Sequence, residues 1–254
     1  MQTTNKIALV TGGSRGLGKN AAVSLAKKGL DVILTYNSKK AEAEATVAEI
    51  TALGQKAIAL QLNTAQVAEF DPFAKQLASV LKEQWNRTSF DYLVNNAGID
   101  WAAPFVQTTE EQFDALFNVH FKGVYFLTQK LLPLVADKGG IINLSTGLAR
   151  FATPGYSAYA SMKGAIEVFT RYLAKELGVR GIRANAVAPG AIETDFTKNA
   201  FDAHPEAKDF IASQTALGRV GQADDIGGVV AFLCTEDARW INAQRIEASG
   251  GMFL

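Results

Sequence analysis

Cysteine occurs once, at Cys234, and histidine twice, at His120 and His204, in a chain of 254 residues. A single thiol excludes an internal disulfide and fits a reducing compartment; it reads as a buried, inert group. Two separate histidines without clustered cysteines are too few ligands for a zinc site, so no metal is expected and His120 reads as a packed residue. A charge excess is also missing, because Lys+Arg 25 balance Asp+Glu 25. No long-range field therefore points to nucleic acid or anionic lipid. No window holds about 18 uninterrupted apolar residues, and MQTTNKIALVTGG lacks a basic stretch followed by a long apolar one. The expectation is a cytoplasmic protein whose partner is a small molecule or another copy of itself. No internal repeat, low-complexity tract or Pro/Ser linker interrupts the chain, so residues 1–254 read as one domain.

What is present is an alternation of short apolar runs with longer segments of helical period. KIALVTG, DVILTY, KAIALQL, FDYLVNN, GIINLS, IRANAVAP and QRIEASG read as strands. Helices are expected over Gly16 to Lys28, Lys39 to Leu53, Gln66 to Trp85, two segments ending near Val135, Tyr156 to Leu177, and Asp224 to Leu233. Strands separated by crossover helices form a parallel sheet. Their nearly continuous apolar character predicts helices on both faces. The fold class is thus α/β, a Rossmann-type doubly wound parallel sheet of about seven strands. The segment 190–215 lacks clear periodicity, carries Phe196, Phe201, His204 and Phe210, and reads as a lid over a pocket.

TGGSRGLG, residues 11 to 18, follows the first strand and opens a helix. Gly12, Gly16 and Gly18 sit where a tight turn, a close backbone approach and a helix N-terminus would hold a pyrophosphate. The end of the second strand, where an acidic residue would take the ribose hydroxyls and repel a 2′-phosphate, reads Tyr36, Asn37, Ser38, Lys39. Asp31 lies at the opposite end of that strand and reads as a solvated loop residue. Arg15 and Lys39 supply positive charge, and Asn37 and Ser38 supply neutral hydrogen-bonding groups. NADP(H) is therefore preferred over NAD(H).

TGGSRGLG, NNAG at residues 95 to 98, Tyr159-Ala-Ser-Met-Lys163 and PGAIET at residues 189 to 194 together resemble the short-chain dehydrogenase/reductase family, in its order and over nearly the whole chain. The resemblance implies cofactor contacts from Ser14 and Leu17 in the turn, from Asn63 and Thr64 near adenine, and from Asn95, Ala97 and Gly98. It further implies contacts from Pro189, Gly190, Ile192 and Thr194 beside the nicotinamide. The family's usual Asp near adenine appears here as Asn63, followed by Thr64, and SGG at 249 to 251 replaces its common Asp-Gly-Gly.

Two tyrosines precede one lysine in YSAYASMK, residues 156 to 163. Tyr159 and Lys163 share a helix face at a spacing of four, and Tyr156 lies on that side one turn earlier. A phenol titrates near 10, and an ammonium about 5 Å away would favour the phenolate by about 3 kcal/mol. By resemblance, Tyr-x3-Lys belongs to the family's carbonyl reductases and alcohol dehydrogenases. Tyr-x6-Lys belongs to its enoyl reductases, which carry an altered glycine turn. The unaltered TGGSRGLG makes Tyr159 the expected proton donor and acceptor, and Tyr156 a pocket wall. Resemblance places the family's active-site Ser on Thr146, makes Asn118 the holder of a water leading from Lys163 to solvent, and gives Lys163 the ribose and the tuning of Tyr159. Ser145, adjacent on a strand, should face the other way.

The expected activity is hydride transfer between the nicotinamide and a carbonyl or secondary alcohol. Trp101, Phe105, Phe151, Tyr156, Phe196 and Phe201 are the expected pocket wall, suited to an apolar or cyclic ketone. Glu193 and Asp195 argue against an anionic substrate. Similarity to the family also implies a homotetramer or homodimer built through the helices that hold Asn118 and Tyr159 and the segment QRIEASGGMFL. Alternatives are a non-catalytic NADP(H)-binding regulatory protein and an NAD(H)-dependent alcohol dehydrogenase of the same family.

Overall fold

The computed structural model describes residues 5–194, 197, 201–202 and 205–254. Seven parallel strands are β1 (Ile7–Val10), β2 (Asp31–Tyr36), β3 (Ala57–Gln61), β4 (Phe90–Asn95), β5 (Val135–Leu144), β6 (Arg183–Pro189) and β9 (Arg245–Ala248). They stand side by side in the order β3-β2-β1-β4-β5-β6-β9. The connecting helices are α1 (Gly16–Lys27), α2 (Lys40–Ala52), α3 (Phe70–Trp85), α4 (Glu110–Phe117), α5 (Gly123–Leu131), α6 (Ser157–Glu176), α7 (Pro205–Ser213) and α8 (Asp224–Leu233). A small parallel pair, β7 (Ile192–Glu193) and β8 (Gly221–Gln222), stands apart from the main sheet.

Alternation along each strand explains the two helical layers. Ile7 and Leu9 of β1 face one side, where they meet Phe70, Leu77 and Leu81 of α3, Leu127 of α5 and Leu173 of α6. Ala8 and Val10 face the other, against Leu25 of α1, Ile50 of α2 and Val230 of α8. Successive side chains of a strand point to opposite faces, so a strand covered on both must be apolar throughout. All four residues of β1 are fully buried. The turn into α4 is fixed by a capping box, in which Thr109 and Gln112 satisfy each other's backbone N–H groups.

β2 and β4 flank β1 on opposite sides, which opens a crevice at the carboxyl ends of the strands where the order reverses. Cys234 is buried, as expected, and burial raises its thiol's pKa well above the ordinary range. No helix among the described residues is long and apolar enough to cross a membrane.

Two expectations are corrected. Asp31 is the first residue of β2 and is buried, accepting hydrogen bonds from Trp85 Nε1 at 2.8 Å and the Lys56 N–H at 2.9 Å. It pins the start of the sheet, because a buried carboxylate must be satisfied by donors. The segment 190–215 is not irregular throughout: β7 and α7 lie within it. Phe196, His204 and Asp195 lie outside the described residues.

Candidate active site

The site begins with the turn between β1 and α1. Gly12 and Gly16 adopt φ of +65° and +56°, the left-handed region that residues with a Cβ avoid. At Gly18 the constraint is contact: a Cβ would lie 2.1 Å from the Gly12 carbonyl oxygen and 2.3 Å from Asn96 Nδ2. The Gly12 N–H donates to Thr35 Oγ1, and Asn96 Nδ2 donates to the carbonyls of Thr11 and Gly12. Arg15 stands at the N-cap of α1 with no side-chain cap and no acidic residue in the first turn. The helix therefore presents backbone N–H groups at its positive end to an anion.

A cleft of about 630 Å³ runs from this turn across the ends of the strands. Its lining includes Gly12, Ser14, Arg15, Gly16, Leu17, Gly18, Tyr36, Asn37, Ser38, Lys39, Asn63 and Thr64 at one end, and Ala97, Gly98, Thr146, Tyr159, Lys163, Pro189, Gly190, Ile192 and Thr194 further along. At the end of β2 the lining residues carry no carboxylate; Lys39 is paired with Glu42 at 3.7 Å, on the surface. The glycine cradle, the helix N-terminus and the cationic and hydroxyl groups at that end fit a phosphorylated dinucleotide.

Asn95 and Asn118 do not line the cleft. Asn95 is buried inside the sheet layer, where Nδ2 donates to Thr128 Oγ1 at 3.0 Å and Asn143 Oδ1 at 2.8 Å. Its neighbour Asn96 faces the cleft instead, as alternation at a strand end requires. Asn118 opens a π-helical turn, Asn118–Lys122, and its carbonyl accepts from the Gly123 N–H. Such a widened turn is frequent at functional sites. Here it also fits a close approach, because a Cβ on Gly123 would lie 2.1 Å from the Thr64 carbonyl oxygen.

The two candidate tyrosines are separated by their surroundings. Tyr159 meets the His120 ring edge-on, centroids 5.0 Å apart, and its phenol lies near enough to the Thr146 side chain for that group to influence its titration. Lys163 is buried and its Nζ donates to the Leu144 carbonyl at 2.7 Å, while lying 5.7 Å from the centre of the Tyr159 ring. Tyr156 lines the cleft one turn earlier. Burial raises the Tyr159 pKa, with a further upward push from the Asp100 carboxylate, and the Thr146 contact opposes both. Burial lowers Lys163 to about 8. The phenol is thus less acidic than usual, opposite to the expected effect of a neighbouring ammonium. Desolvation of the phenolate dominates here, and the ammonium is turned towards a carbonyl.

Ser145 also borders the cleft, but its hydroxyl is engaged: Oγ donates to Glu167 Oε1 at 2.6 Å. His120 is a packed residue, with Nε2 2.8 Å from the Ile99 carbonyl oxygen. Burial and the nearby Lys163 charge lower its pKa to about 3, so the ring stays neutral.

The substrate end differs most from expectation. Phe151, Tyr156 and Phe201 line it, but Trp101 and Phe105 do not; Phe105 is 81% exposed. Phe210 and Ile211 of α7, and Met252 and Phe253, complete that end. Glu193 is paired with Lys208 at 2.7 Å, and among the described residues Asp100 is the carboxylate that lines the cleft. Sequence reasoning missed Asp100 and Phe253 because the cleft gathers them from separate loops. Only the placement of Asp100 two residues after NNAG was a usable signal.

A family model described as enoyl-(acyl carrier protein) reductase matches residues 12–253. A 3-oxoacyl-[acyl-carrier-protein] reductase of Staphylococcus aureus is 39% identical over 251 residues, covering 98% of this chain and 98% of that protein. Among solved structures, the promiscuous reductase LugOII, which catalyses keto-reduction at C1 during lugdunomycin biosynthesis, superposes with a TM-score of 0.93 at 39% identity over 100% of both chains. The angucycline C-6 ketoreductase LanV, solved with bound NADP, gives a TM-score of 0.92 at 36% identity over 98% of this chain and 95% of its own.

Proposed function

This chain belongs to the short-chain dehydrogenase/reductase family of oxidoreductases, and we propose that it is an NADP(H)-dependent reductase of an apolar ketone with Tyr159 as the proton donor. The observation that carries the reading is the meeting of Tyr159, Thr146 and Lys163 on one wall of a cleft that starts at the glycine turn. NADPH supplies the hydride when bound. Arg15, Asn37, Ser38 and Lys39 would hold a 2′-phosphate, and the N-terminus of α1 would face the pyrophosphate. Similarity to a reductase solved with NADP supports that choice.

Thr146 positions the carbonyl oxygen through its hydroxyl, keeping the function of a serine while its methyl restricts χ1. Tyr159 gives its proton to that oxygen as the alcohol forms. The raised phenol pKa suits this direction, since the donor remains protonated through neutral and mildly alkaline pH. Lys163 steadies the Tyr159 side of the cleft and would reach the cofactor ribose; Asn118, at the π-helical turn, would hold a water on a path from Lys163 towards solvent. The 3-oxoacyl reductase and ketoreductase relatives support a carbonyl substrate. Tyr156 lies on the same cleft, and the family model's description keeps reduction of a conjugated double bond as a second reading.

Consumption of NADPH and of NADH should be followed in parallel over a panel of ketones, 3-oxoacyl thioesters and 2-enoyl thioesters. Ketone or 3-oxoacyl turnover with NADPH favoured is expected, and Tyr159→Phe should lower it about a thousandfold while NADPH still binds. Turnover of enoyl substrates alone would move the proton donor to Tyr156. Binding without turnover on any of them would favour a regulatory role.

A second copy of the chain is the proposed partner. Tyr125 stacks on Phe169 at 4.7 Å, and Val168 and Tyr172 are 46% and 63% exposed on α6 beside them. An exposed apolar face of this kind is the usual mark of an interface. Sedimentation velocity should find a dimer or tetramer that Tyr172→Glu weakens; a monomer would refute it.

A further inference from the structure

The guanidinium of Arg150 joins parts of the molecule that the reaction does not itself require to meet. Its Nε and Nη2 grip both oxygens of Glu247, at 2.8 and 2.7 Å. The remaining donors go to two successive backbone carbonyls, Nη2 to Met252 at 2.7 Å and Nη1 to Phe253 at 3.1 Å. The group also lies 5.4 Å from the centre of the Phe151 ring. Phe151 and Phe253 pack edge to face with centroids 4.7 Å apart, and both line the cleft.

The segment that carries Phe253 needs such a hold. Gly250, Gly251 and Phe253 all take positive φ, the last at +52° despite its side chain. Its backbone is also tied to the loop after α7, by the antiparallel bridge between Thr215 and Met252, by the Phe253 N–H donated to the Gln214 carbonyl at 2.9 Å, and by the Ala216 and Leu217 N–H groups donated to the Gly251 and Gly250 carbonyls at 3.2 and 3.1 Å. Among the described residues, only the Arg150 side chain bonds the Phe253 carbonyl. On the far side, Glu247 pairs with Arg245 at 2.8 Å, and Arg245 Nη2 donates to the Thr146 carbonyl at 3.1 Å. One unbroken chain of charged contacts thus runs from the peptide of Thr146 to the peptide of Phe253.

We propose that Arg150 is a positioning residue that holds Phe253 and Phe151 as one aromatic wall of the substrate pocket, fixed in distance from Thr146, and that this wall selects flat ring ketones over open-chain ones. The inference rests on the reductase reading. The pair is bidentate and belongs to a network, with Glu247 only 21% exposed, so it serves the fold as well as the pocket, and discrimination between substrates is the readout that a purely structural role would not move. A lysine cannot replace it, because it lacks the fork that serves a carboxylate and two carbonyls together. Ring contacts favour a planar apolar substrate over a flexible chain, which must also be ordered on binding.

The test compares α-tetralone with ethyl acetoacetate in the wild type, Phe253→Ala, Arg150→Met and Arg150→Lys. In Phe253→Ala and Arg150→Met the KM for α-tetralone should rise about tenfold with kcat within about twofold, while the KM for ethyl acetoacetate moves less than about threefold. Arg150→Lys should recover only part of the difference. Equal shifts for the two ketones, or an Arg150→Met enzyme that behaves as wild type while Phe253→Ala does not, would overturn the assignment. Calorimetric titration of the NADP⁺-loaded protein with α-tetralone gives the same comparison without turnover. If the wild type reduces neither ketone, the wider substrate panel decides the reductase reading and the titration decides the wall. Should Phe253→Ala fail to fold, Phe253→Leu takes its place, with loss of flat-ring preference again expected.

Discussion

At the glycine turn the cleft is made of backbone, whereas at Phe253 it is made of side chains brought together from distant segments. The first region is held by Gly12, Gly18, Thr35 and Asn96 within hydrogen-bonding or van der Waals distance of one another, leaving no room for a methyl group. The second depends on Arg150 reaching residues 97 to 103 positions away in the chain. Between them stand Thr146, Tyr159 and Lys163. The contrast teaches that the nucleotide end tolerates almost no change in shape, while the substrate end can be re-cut by substituting single side chains. A fold with this division can keep one cofactor and vary the carbonyl it accepts.

The sharpest way to break that contrast is Gly18→Ala. The added methyl would lie 2.1 Å from a backbone oxygen, so neither partner can yield cheaply. NADPH affinity should fall at least about a hundredfold, or the chain should lose several kcal/mol of stability, as read by fluorescence titration and thermal melting. A variant with wild-type affinity and melting temperature would show that the turn is looser than its contacts indicate.

Thr146 tests the junction. Thr146→Ala removes the hydroxyl that meets Tyr159 and should lower kcat roughly tenfold to a hundredfold, whereas Thr146→Ser should stay within about threefold of wild type. Equal losses in both would assign the methyl, and not the hydroxyl, the larger part.

At neutral pH the smallest effect is expected at His120, which bridges the Ile99 loop and the Tyr159 ring. Its pKa is about 3 in the folded chain against 6.5 for a free imidazole. Between these values the unfolded chain binds a proton that the folded one refuses, so this stabilising contribution is complete above pH 6.5 and declines as the pH falls towards 3. His120→Phe should flatten that part of the stability profile, by up to a few kcal/mol at the acid end, in urea titrations at stepped pH. A profile as steep as wild type would show that other groups carry the acid sensitivity.

Much of this arrangement was legible from residue order alone. The strand and helix alternation gave the seven-stranded sheet, and α8 spans Asp224–Leu233, the bounds expected for it. The glycine turn named its own cleft residues, since each glycine answers to a local backbone demand. Asn95 and Asn96 show where reading failed: a side chain's face at the very end of a strand depends on how the next turn leaves the sheet. Asp31 failed for a different reason. It looks like a loop carboxylate until Trp85 and Lys56, from other elements, supply its donors. Trp101 and Phe105 were placed in the wall because aromatic residues after β4 are near the cleft in sequence, yet nearness along the chain does not set direction in an exposed loop.

The sequence by itself determined the layered α/β architecture, the nucleotide turn and the Tyr159–Lys163 spacing, because hydrophobic period, glycine conformation and helical pitch are properties of neighbouring residues. Tertiary structure alone decided that burial outweighs the ammonium at Tyr159, that α7 emerges within the segment 190–215, and that Arg150 binds Phe253 into the pocket. Those outcomes depend on desolvation and on contacts across the fold, which no local pattern encodes.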